Sequence, residues 1–332
     1  MTKRSLLFCA LATFAFGLAA GVLPGHNATA RAQTYPTKAV HIIVPSPAGG
    51  GYDLVGRLIA EQLQTYLPGI YVVENVGGPG PIGTRVAART APDGYSLLIG
   101  GQANLILTLG LYKDVGYDPE KDFIPVGIVA ATPYVLIARR DLEPGVAEEI
   151  ARGSVKPGTL TVATAGSGSG QDILATLLIA ASRSPLTKVP YRGAANVYPD
   201  LYAGRVDLFV DVISTAWPHV EAEKIDLLAT LGVNRISRAP RVPTVAELGM
   251  PGLSMEVGSW VGLFGRAGTP QPIVVALQEG ITKTMADPNF RRKLEVLGAE
   301  PVSIVGQDAL SMMMREKAHW LPLMKQAGIE PQ

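Results

Sequence analysis

The sequence predicts an α/β protein built from two lobes. Short runs of β-branched residues, such as Val40-His41-Ile42-Ile43-Val44, alternate with segments whose apolar residues recur at helical spacing. Near residue 160 this alternation starts again, and three helical patterns close the chain at 272–286, 288–297 and 307–326. Strands that alternate with helices indicate parallel sheets, and two such series indicate two α/β lobes.

The first series contains predicted strands at 40–44, 70–73 and 95–99 and predicted helices at 53–64 and 82–89. We expect Asp53 to cap the first helix, because an aspartate carboxylate accepts hydrogen bonds from the free amides of a first turn. Residues 124–138 have the composition of one long strand interrupted by Pro125 and Pro133. This segment is predicted to cross between the lobes.

The second series begins with a strand at 160–163 and a helix at 172–181. Extended segments follow at 188–191, 206–210, 227–231 and 259–264, with a helical segment at 196–202. The predicted division of the chain is residues 33–134 together with 258–332 for lobe 1, and residues 135–257 for lobe 2.

The first 32 residues have the pattern of a secretory signal peptide. Lys3 and Arg4 precede an almost wholly apolar run at 5–23, and an A-x-A cleavage site follows at 30–32. The alternative is an uncleaved anchor, because about 18 apolar residues approach the length that spans a bilayer. Cleavage after Ala32 would remove the single cysteine, Cys9, and leave acidic side chains in slight excess. We expect the mature chain to be exported and soluble.

Composition and motifs argue against several classes of function. A formal net charge of +1 argues against a nucleic-acid-binding surface, and one cysteine with four scattered histidines gives no zinc motif. The run Gly78-Pro79-Gly80-Pro81-Ile82-Gly83 matches G-x-G-x-x-G, but its prolines lack the amides that a pyrophosphate requires. Gly168 stands where a G-x-S-x-G nucleophile would stand. No catalytic residue, metal or cofactor is predicted.

Two glycine-rich loops remain as candidates for binding. One spans 46–52 and the other spans 166–170, and each joins a predicted strand to a predicted helix. Backbone amides in such loops and the dipole of the following helix attract anions. Two such loops, each near the start of one lobe, indicate a small anion held in a cleft between the lobes.

Short motifs occur in a fixed order along residues 35–329. Among them are Tyr35-Pro36-x-Lys38, Val44-Pro45-x-Pro47-x-Gly49-Gly50-x-x-Asp53, Val72-Val73-Glu74-Asn75, Pro92-Asp93-Gly94-Tyr95, Tyr117-Asp118-Pro119, Val189-Pro190-Tyr191-x-Gly193 and Trp260-x-Gly262-Leu263. In order and spacing these motifs resemble those of the substrate-binding proteins of tripartite tricarboxylate transporters, the Bug/TctC family.

The resemblance implies a periplasmic binding protein of the type II-like fold, with two α/β lobes that close on a ligand. It implies capture of a small organic carboxylate, delivery to the membrane permease subunits of a tripartite tricarboxylate transporter, and a monomeric state. It implies no enzymatic activity and no nucleic-acid partner.

The family's binding positions fall on two loops and one strand end. The implied ligand-binding residues are Ser46, Pro47, Ala48, Gly49, Gly50, Gly51, Tyr52, Ala165, Gly166, Ser167, Gly168, Ser169 and Asp211. Asp211 is implied at the distal end of the ligand, and a helix cap or a surface charge is the alternative for this residue. The sequence departs from the family pattern at Ser46, where an aromatic residue is common, and at Ala48, where a second proline is common. The first loop is therefore smaller and more polar than is usual.

Two other classes of function share features of this sequence. A ligand-sensing protein that feeds a membrane sensor kinase would have the same fold and the same site, and neighbouring genes would distinguish the two. An exported enzyme is the second alternative, and turnover of a bound acid would reveal it.

Overall fold

The computed structural model describes residues 35–77, 81–166, 169–182 and 184–331. From Tyr35 onward the chain forms one compact unit. The predicted signal peptide, with Cys9, lies outside the described residues. Within those ranges, none of the helices combines the length and the hydropathy that a membrane span requires.

The strands of the described residues belong to two sheets. In chain order they are β1 (Val40–Val44), β2 (Tyr71–Asn75), β3 (Ser96–Gly101), β4 (Phe123–Thr132), β5 (Tyr134–Arg139), β6 (Thr161–Thr164), β7 (Thr187–Pro190), β8 (Leu208–Val212), β9 (Ile225–Thr230), β10 (Ser259–Arg266) and β11 (Glu300–Val305). One sheet has six strands in the order β11-β4-β10-β3-β1-β2, and the other has five in the order β7-β6-β8-β5-β9.

Helices connect most of these strands. They are α1 (Gly51–Tyr66), α2 (Ile82–Ala88), α3 (Thr108–Leu111), α4 (Pro119–Asp122), α5 (Val146–Arg152), α6 (Gly170–Ser182), α7 (Tyr198–Tyr202), α8 (Ile213–Glu221), α9 (Gln271–Ala286), α10 (Pro288–Val296) and α11 (Gln307–Gln326). A π-helical turn at Ala103–Leu107 follows β3. Strand β1 runs parallel to both β2 and β3, as strand–helix–strand connections require.

Two local predictions are wrong. Helix α1 begins at Gly51 with Gly50 as its N-cap, so Asp53 lies in the first turn and does not cap the helix from outside. Its carboxylate instead reaches back to the amide of Gly49. Pro125 does not interrupt a strand but lies inside β4, beside a register shift between β4 and β10. A register irregularity is where a strand tolerates a residue without an N–H group.

The segment predicted to cross between the lobes passes from one sheet to the other. Strand β4 belongs to the six-stranded sheet and β5 to the five-stranded sheet, and only Pro133 separates them. The chain returns to the six-stranded sheet through Gly258, whose φ is +76°. At this glycine a Cβ atom would lie 2.7 Å from the carbonyl oxygen of Thr132, so the two crossing segments are in contact.

Two of the buried apolar clusters each belong to one sheet, and a third contains residues of both sheets. In the first, β1 and β3 pack against α1 and α9 through side chains such as Ile42, Ile99, Leu63 and Ile281. In the second, Phe209 is fully buried among residues of β5, α7 and α8. Removal of this apolar surface from water is the main driving force that holds the helices to the sheets.

Candidate functional site

The first glycine-rich loop lies between β1 and α1. Gly49 has φ +82°, a left-handed conformation that glycine adopts without a steric penalty. Its amide nitrogen donates to Oδ2 of Asp53 across 2.8 Å, while the amide of Gly50 makes a longer contact of 3.4 Å with the Pro47 carbonyl oxygen. The protein itself therefore occupies the two amides at the glycine-rich turn.

Asp53 is held in place by further donors. Arg57 Nε donates to its Oδ2 across 3.1 Å, and Asn75 Nδ2 donates to its Oδ1 across 2.9 Å. The hydrogen bond from Arg57 and those from Gly49 and Asn75 outweigh the effect of burial and lower the pKa of Asp53 to about 2. This ionised carboxylate fixes the loop against the start of α1.

The next two amides are open. In the part of the chain that the structure describes, neither the Gly51 amide nor the Tyr52 amide donates a hydrogen bond. These are the first two amides of α1, where the helix dipole contributes partial positive charge. The start of α1 can therefore accept an anion at these positions.

A cavity of about 170 Å³ lies beside this helix start, between the two sheets. Its polar lining comes from Gly51, Tyr52, Thr132, Ser214 and Ser259. The rest of its wall is apolar and consists of Leu54, Val55, Ala130, Val212, Val261, Leu297 and Ala299. Residues of α1, β4 and β10 face residues at the junction of β8 and α8 across this space.

Tyr52 is placed by close contact with a strand. A Cβ atom at Gly101, at the end of β3, would collide with the Tyr52 hydroxyl oxygen and would lie 2.5 Å from the carbonyl oxygen of Trp260. The Tyr52 hydroxyl is buried and has no hydrogen-bond partner in the described residues. Burial raises the pKa of this phenol, so Tyr52 is neutral and can donate its proton in a hydrogen bond.

The second loop joins β6 to α6. Ser169 is the residue before this helix, and its Oγ accepts a hydrogen bond from the Asp172 amide across 3.1 Å. The Ser169 amide donates to the Gly166 carbonyl oxygen across 3.1 Å. Ser167 and Gly168 lie outside the described residues. Ala165 and Gly166 are half-buried. The Ser169 side chain caps the start of α6.

The loop lies against Tyr134, the first residue of β5. A Cβ atom at Gly170 would collide with the Tyr134 hydroxyl oxygen. Burial raises the pKa of Tyr134 to about 12, although a hydrogen bond with Ser259 partly opposes this effect. Because Ser259 also lines the cavity, Tyr134 connects the α6 start to the cavity wall.

Asp211 is fully buried in β8. Its Oδ2 accepts hydrogen bonds from the hydroxyls of Tyr198 and Thr215, each across 2.7 Å. Its Oδ1 accepts from the Val212 amide across 2.8 Å and from Gln171 Nε2 across 3.2 Å. The carboxylate is therefore satisfied within the protein, and its contact with the distal end of a ligand stays a prediction.

The structure brings together only part of the predicted set. Gly51 and Tyr52 line the cavity, and Asp211 lies next to the lining residue Val212. Residues 46–50 and the described residues of the second loop do not line it. Sequence reasoning did not single out Thr132, Ser214 or Ser259. Thr132 and Ser259 lie at the two crossings between the sheets. Their position at the ends of the crossing segments is the feature from which they could have been predicted.

Within the described ranges, no cluster of His, Cys, Asp and Glu side chains could hold a metal ion. The cavity presents amides and hydroxyl groups, which bind by hydrogen bonds. Such a site can hold an anion with an apolar body.

Comparison with known proteins shows the family to which this chain belongs. Residues 55–329 match the family described as tripartite tricarboxylate transporter family receptor. An Agrobacterium vitis protein, described as UPF0065 protein in the TAR-I ttuE-ttuC' intergenic region, is 35% identical over 289 residues, which cover 86% of this chain and 82% of that protein.

Two solved structures are similar over nearly the whole chain. The periplasmic binding protein BugD is 34% identical with a TM-score of 0.72, covering 90% of this chain and 100% of BugD. The R. palustris protein Rpa4515 with adipate is 32% identical with a TM-score of 0.75, and the coverage is again 90% and 100%. The chain has the two-lobed α/β fold of these binding proteins, and it belongs to the family of tripartite tricarboxylate transporter receptors.

Proposed function

We propose that the protein captures a small organic carboxylate in the cleft between its lobes and delivers it to the membrane permease subunits of a tripartite tricarboxylate transporter. It acts as a monomer in the periplasm, after removal of residues 1–32, and it catalyses no reaction. The lobes are 33–134 with 258–332, and 135–257. The distribution of strands between the two sheets supports this division.

One observation carries the proposal. The free amides of Gly51 and Tyr52 lie at the positive end of α1, and both residues line a cavity between the two sheets. An anion at that place gains hydrogen bonds and a favourable interaction with the helix dipole. The similarity to a binding protein solved with adipate supports a carboxylate as the anion.

The proposed contacts extend beyond the cavity lining. Residues 46–52 would hold the ligand carboxylate, 165–169 would approach it from the second lobe, and Asp211 would lie behind the distal end. A ligand that contacts both lobes stabilises the closed arrangement by its difference in affinity for the closed and open states. Permease subunits that recognise the closed arrangement would then receive only loaded protein.

Gly51 allows a direct test. Proline is favourable at the first position of a helix, and the preceding Gly50 has the extended backbone (φ −76°, ψ 166°) that proline requires. Gly51→Pro therefore removes one amide donor while α1 stays intact. Gly51→Ala keeps the amide, and its Cβ atom would have no neighbour within 4 Å.

The measurement is calorimetric affinity for a panel of mono-, di- and tricarboxylates, with thermal unfolding of each variant. We expect a carboxylate to bind and to raise the melting temperature. Gly51→Pro should weaken this binding by about tenfold or more, as loss of a hydrogen bond to a charged group implies. Gly51→Ala should bind like the unchanged protein. Equal affinity in the two variants, or no binding by any acid, would contradict the proposal.

Delivery to a permease is tested in cells. Deletion of the gene for this protein should abolish uptake of the acid that binds, and a copy that encodes Gly51→Ala should restore it. Uptake that continues without the protein, together with loss of a transcriptional response to the acid, would identify a sensing protein instead.

A further inference from the structure

The polar groups that line the cavity are neutral hydrogen-bond donors. The α1 start contributes two free amides at one end, and none of the described residues that line the cavity carries a positive charge. A carboxylate that leaves water needs hydrogen-bond donors or a cation in exchange, and without them its burial costs several kcal/mol. The α1 start supplies backbone donors for one carboxylate, and the hydroxyls of Thr132, Ser214 and Ser259 are the polar groups elsewhere in the wall.

The opposite end has a helix start of its own, at α8. This helix begins at Ile213, and Ser214 in its first turn lines the cavity. The Ile213 amide already donates to the Pro133 carbonyl oxygen across 2.8 Å, and the Val212 amide donates to Asp211. Oδ2 of Asp211 also accepts the Thr215 hydroxyl from the same turn.

Asp211 is thus the protein's own anion at the α8 start. A second ligand carboxylate placed there would lie close to a buried carboxylate with no cation between them. Like charges in a buried site disfavour each other's ionised form. The distal end of the cavity therefore suits an uncharged group, and the side chain of Val212 gives it an apolar surface.

The size of the cavity limits the apolar part of the ligand. An engineered apolar cavity of about 150 Å³ in another protein holds one benzene molecule. The space of about 170 Å³ here is similar, and Leu54, Val261 and Leu297 contribute to its apolar wall. An apolar body near the size of benzene fills it.

We infer that the ligand is a compact monocarboxylate, whose carboxylate binds the free amides of the α1 start and whose apolar body, about the size of benzene, lies against Val212. This inference rests on the proposed function and specifies its ligand. It differs from the pairing of Rpa4515 with adipate, which is a dicarboxylate.

The test compares acids that differ only in the second carboxylate. Affinities are measured by calorimetry at pH 7.5 for butanoate against butanedioate, hexanoate against hexanedioate, and benzoate against benzene-1,4-dicarboxylate. We expect at least one monocarboxylate to bind ten or more times tighter than its partner. If the dicarboxylate binds equally well or better in every pair, the inference is overturned while carboxylate binding stands. If no acid of either series binds, both proposals fail.

A charge placed at the distal wall should reverse the preference. Val212→Lys supplies a cation there, and Val212→Met has similar length without the charge. We expect the ratio of dicarboxylate to monocarboxylate affinity to be at least tenfold higher in the Lys variant than in the Met variant. An unchanged ratio would overturn the assignment of this wall to the distal end. Thr132→Lys and Thr132→Met provide the same comparison if the Val212 variants do not fold.

Discussion

The backbone amide of Gly49 donates a hydrogen bond to Oδ2 of Asp53 across 2.8 Å. The carboxylate of Asp53, in the first turn of α1, therefore occupies one amide of the glycine-rich loop, and the amides left for a ligand are those of Gly51 and Tyr52. Neighbouring residues at the start of α1 therefore have different roles. Asp53 organises the turn, and Gly51 and Tyr52, whose amides donate no hydrogen bond in the described residues, line the cavity.

Asp53 should make stability depend on pH in the acid range. The ordinary pKa of an aspartate is 3.8, and in the folded protein the hydrogen bond from Arg57 is the main cause that lowers the pKa of Asp53 to about 2. A lowered pKa stabilises the folded protein above pH 4, and this contribution is lost as the pH falls towards 2. Asp53→Asn should reduce the free energy of unfolding by about 2 kcal/mol at pH 7 and by much less at pH 2.5.

Urea unfolding of both proteins from pH 7 to pH 2.5 measures this difference. Glu330→Gln, at an exposed position near the C-terminus, controls for loss of one negative charge. If the difference in free energy of unfolding between the unchanged protein and Asp53→Asn stays constant with pH, the lowered pKa of Asp53 is contradicted.

Gly101 and Tyr52 should be energetically coupled. Gly101→Ala places a methyl group against the Tyr52 hydroxyl and near the Trp260 carbonyl oxygen, and such overpacking costs about 1–3 kcal/mol. Tyr52→Leu removes the ring that the methyl group meets. The double variant should therefore lose less stability than the sum of the two single variants, by about 1 kcal/mol. Denaturant unfolding of the four proteins gives the coupling.

The coupling has a matched control at Gly252. A Cβ atom there would lie 4.0 Å from its nearest neighbour, Leu323, which is an ordinary contact. Gly252→Ala combined with Tyr52→Leu should be additive. If the stability losses of Gly101→Ala and Tyr52→Leu were also additive, Tyr52 would not be held against β3.

Glu316 should contribute to stability with a pH dependence opposite to that of Asp53. Its carboxyl group is buried in α11, where Gln102 Nε2 donates to Oε2 across 2.8 Å and Trp320 Nε1 donates to the same atom across 3.2 Å. Burial raises its pKa above the ordinary value of 4.5. The folded protein therefore holds this proton more tightly than the unfolded chain, and stability decreases as the pH rises through the raised pKa.

Glu316→Gln retains an oxygen acceptor for both donors and cannot ionise. Relative to the unchanged protein, this variant should gain stability between pH 5 and pH 8. Urea unfolding at these two pH values measures the gain, and Glu279→Gln on the exposed face of α9 provides the control. A gain of the same size at Glu279, or none at Glu316, would count against a buried ionisable group.

The fold was predictable because its signals are local and repeated. The pattern of α11 spans 307–326 in the sequence and in the structure, and β1 likewise has the predicted bounds. The edge strand β11 was not predicted, because the run Glu300–Val305 is only partly buried and alternates weakly. The π-helical turn Ala103–Leu107 was missed for a different reason, since no sequence pattern marks its wider hydrogen bonds.

The site was harder to predict than the fold. A glycine-rich loop indicates free amides, but only the structure shows that Asp53 takes the Gly49 amide. In the same way, sequence reasoning treats Asp211 as a candidate ligand contact, whereas four donors from four elements of the fold surround it. Side chains that converge from distant parts of the chain have no sequence signature.

The two crossings between the sheets are in close contact at Gly258. Gly258 has φ +76°, and a Cβ atom there would lie 2.7 Å from the Thr132 carbonyl oxygen and 3.0 Å from Pro133 Cα. Both neighbours are backbone atoms of the other crossing, so they cannot rotate away. Gly258→Ala should therefore combine a left-handed backbone penalty of about 1–2 kcal/mol with a steric cost of about 1–3 kcal/mol.

A comparison with Gly249→Ala distinguishes the backbone penalty from the steric cost. Its φ is +93°, and a Cβ atom there would meet nothing within 4 Å, so Gly249→Ala should show the backbone penalty alone. We expect Gly258→Ala to lose at least 1 kcal/mol more free energy of unfolding than Gly249→Ala, measured by urea unfolding at pH 7. The excess follows from steric contact between the crossings, since the two sites share the left-handed conformation. Equal losses would mean that the crossings separate readily, and ligand-driven movement of the lobes would then need a hinge elsewhere.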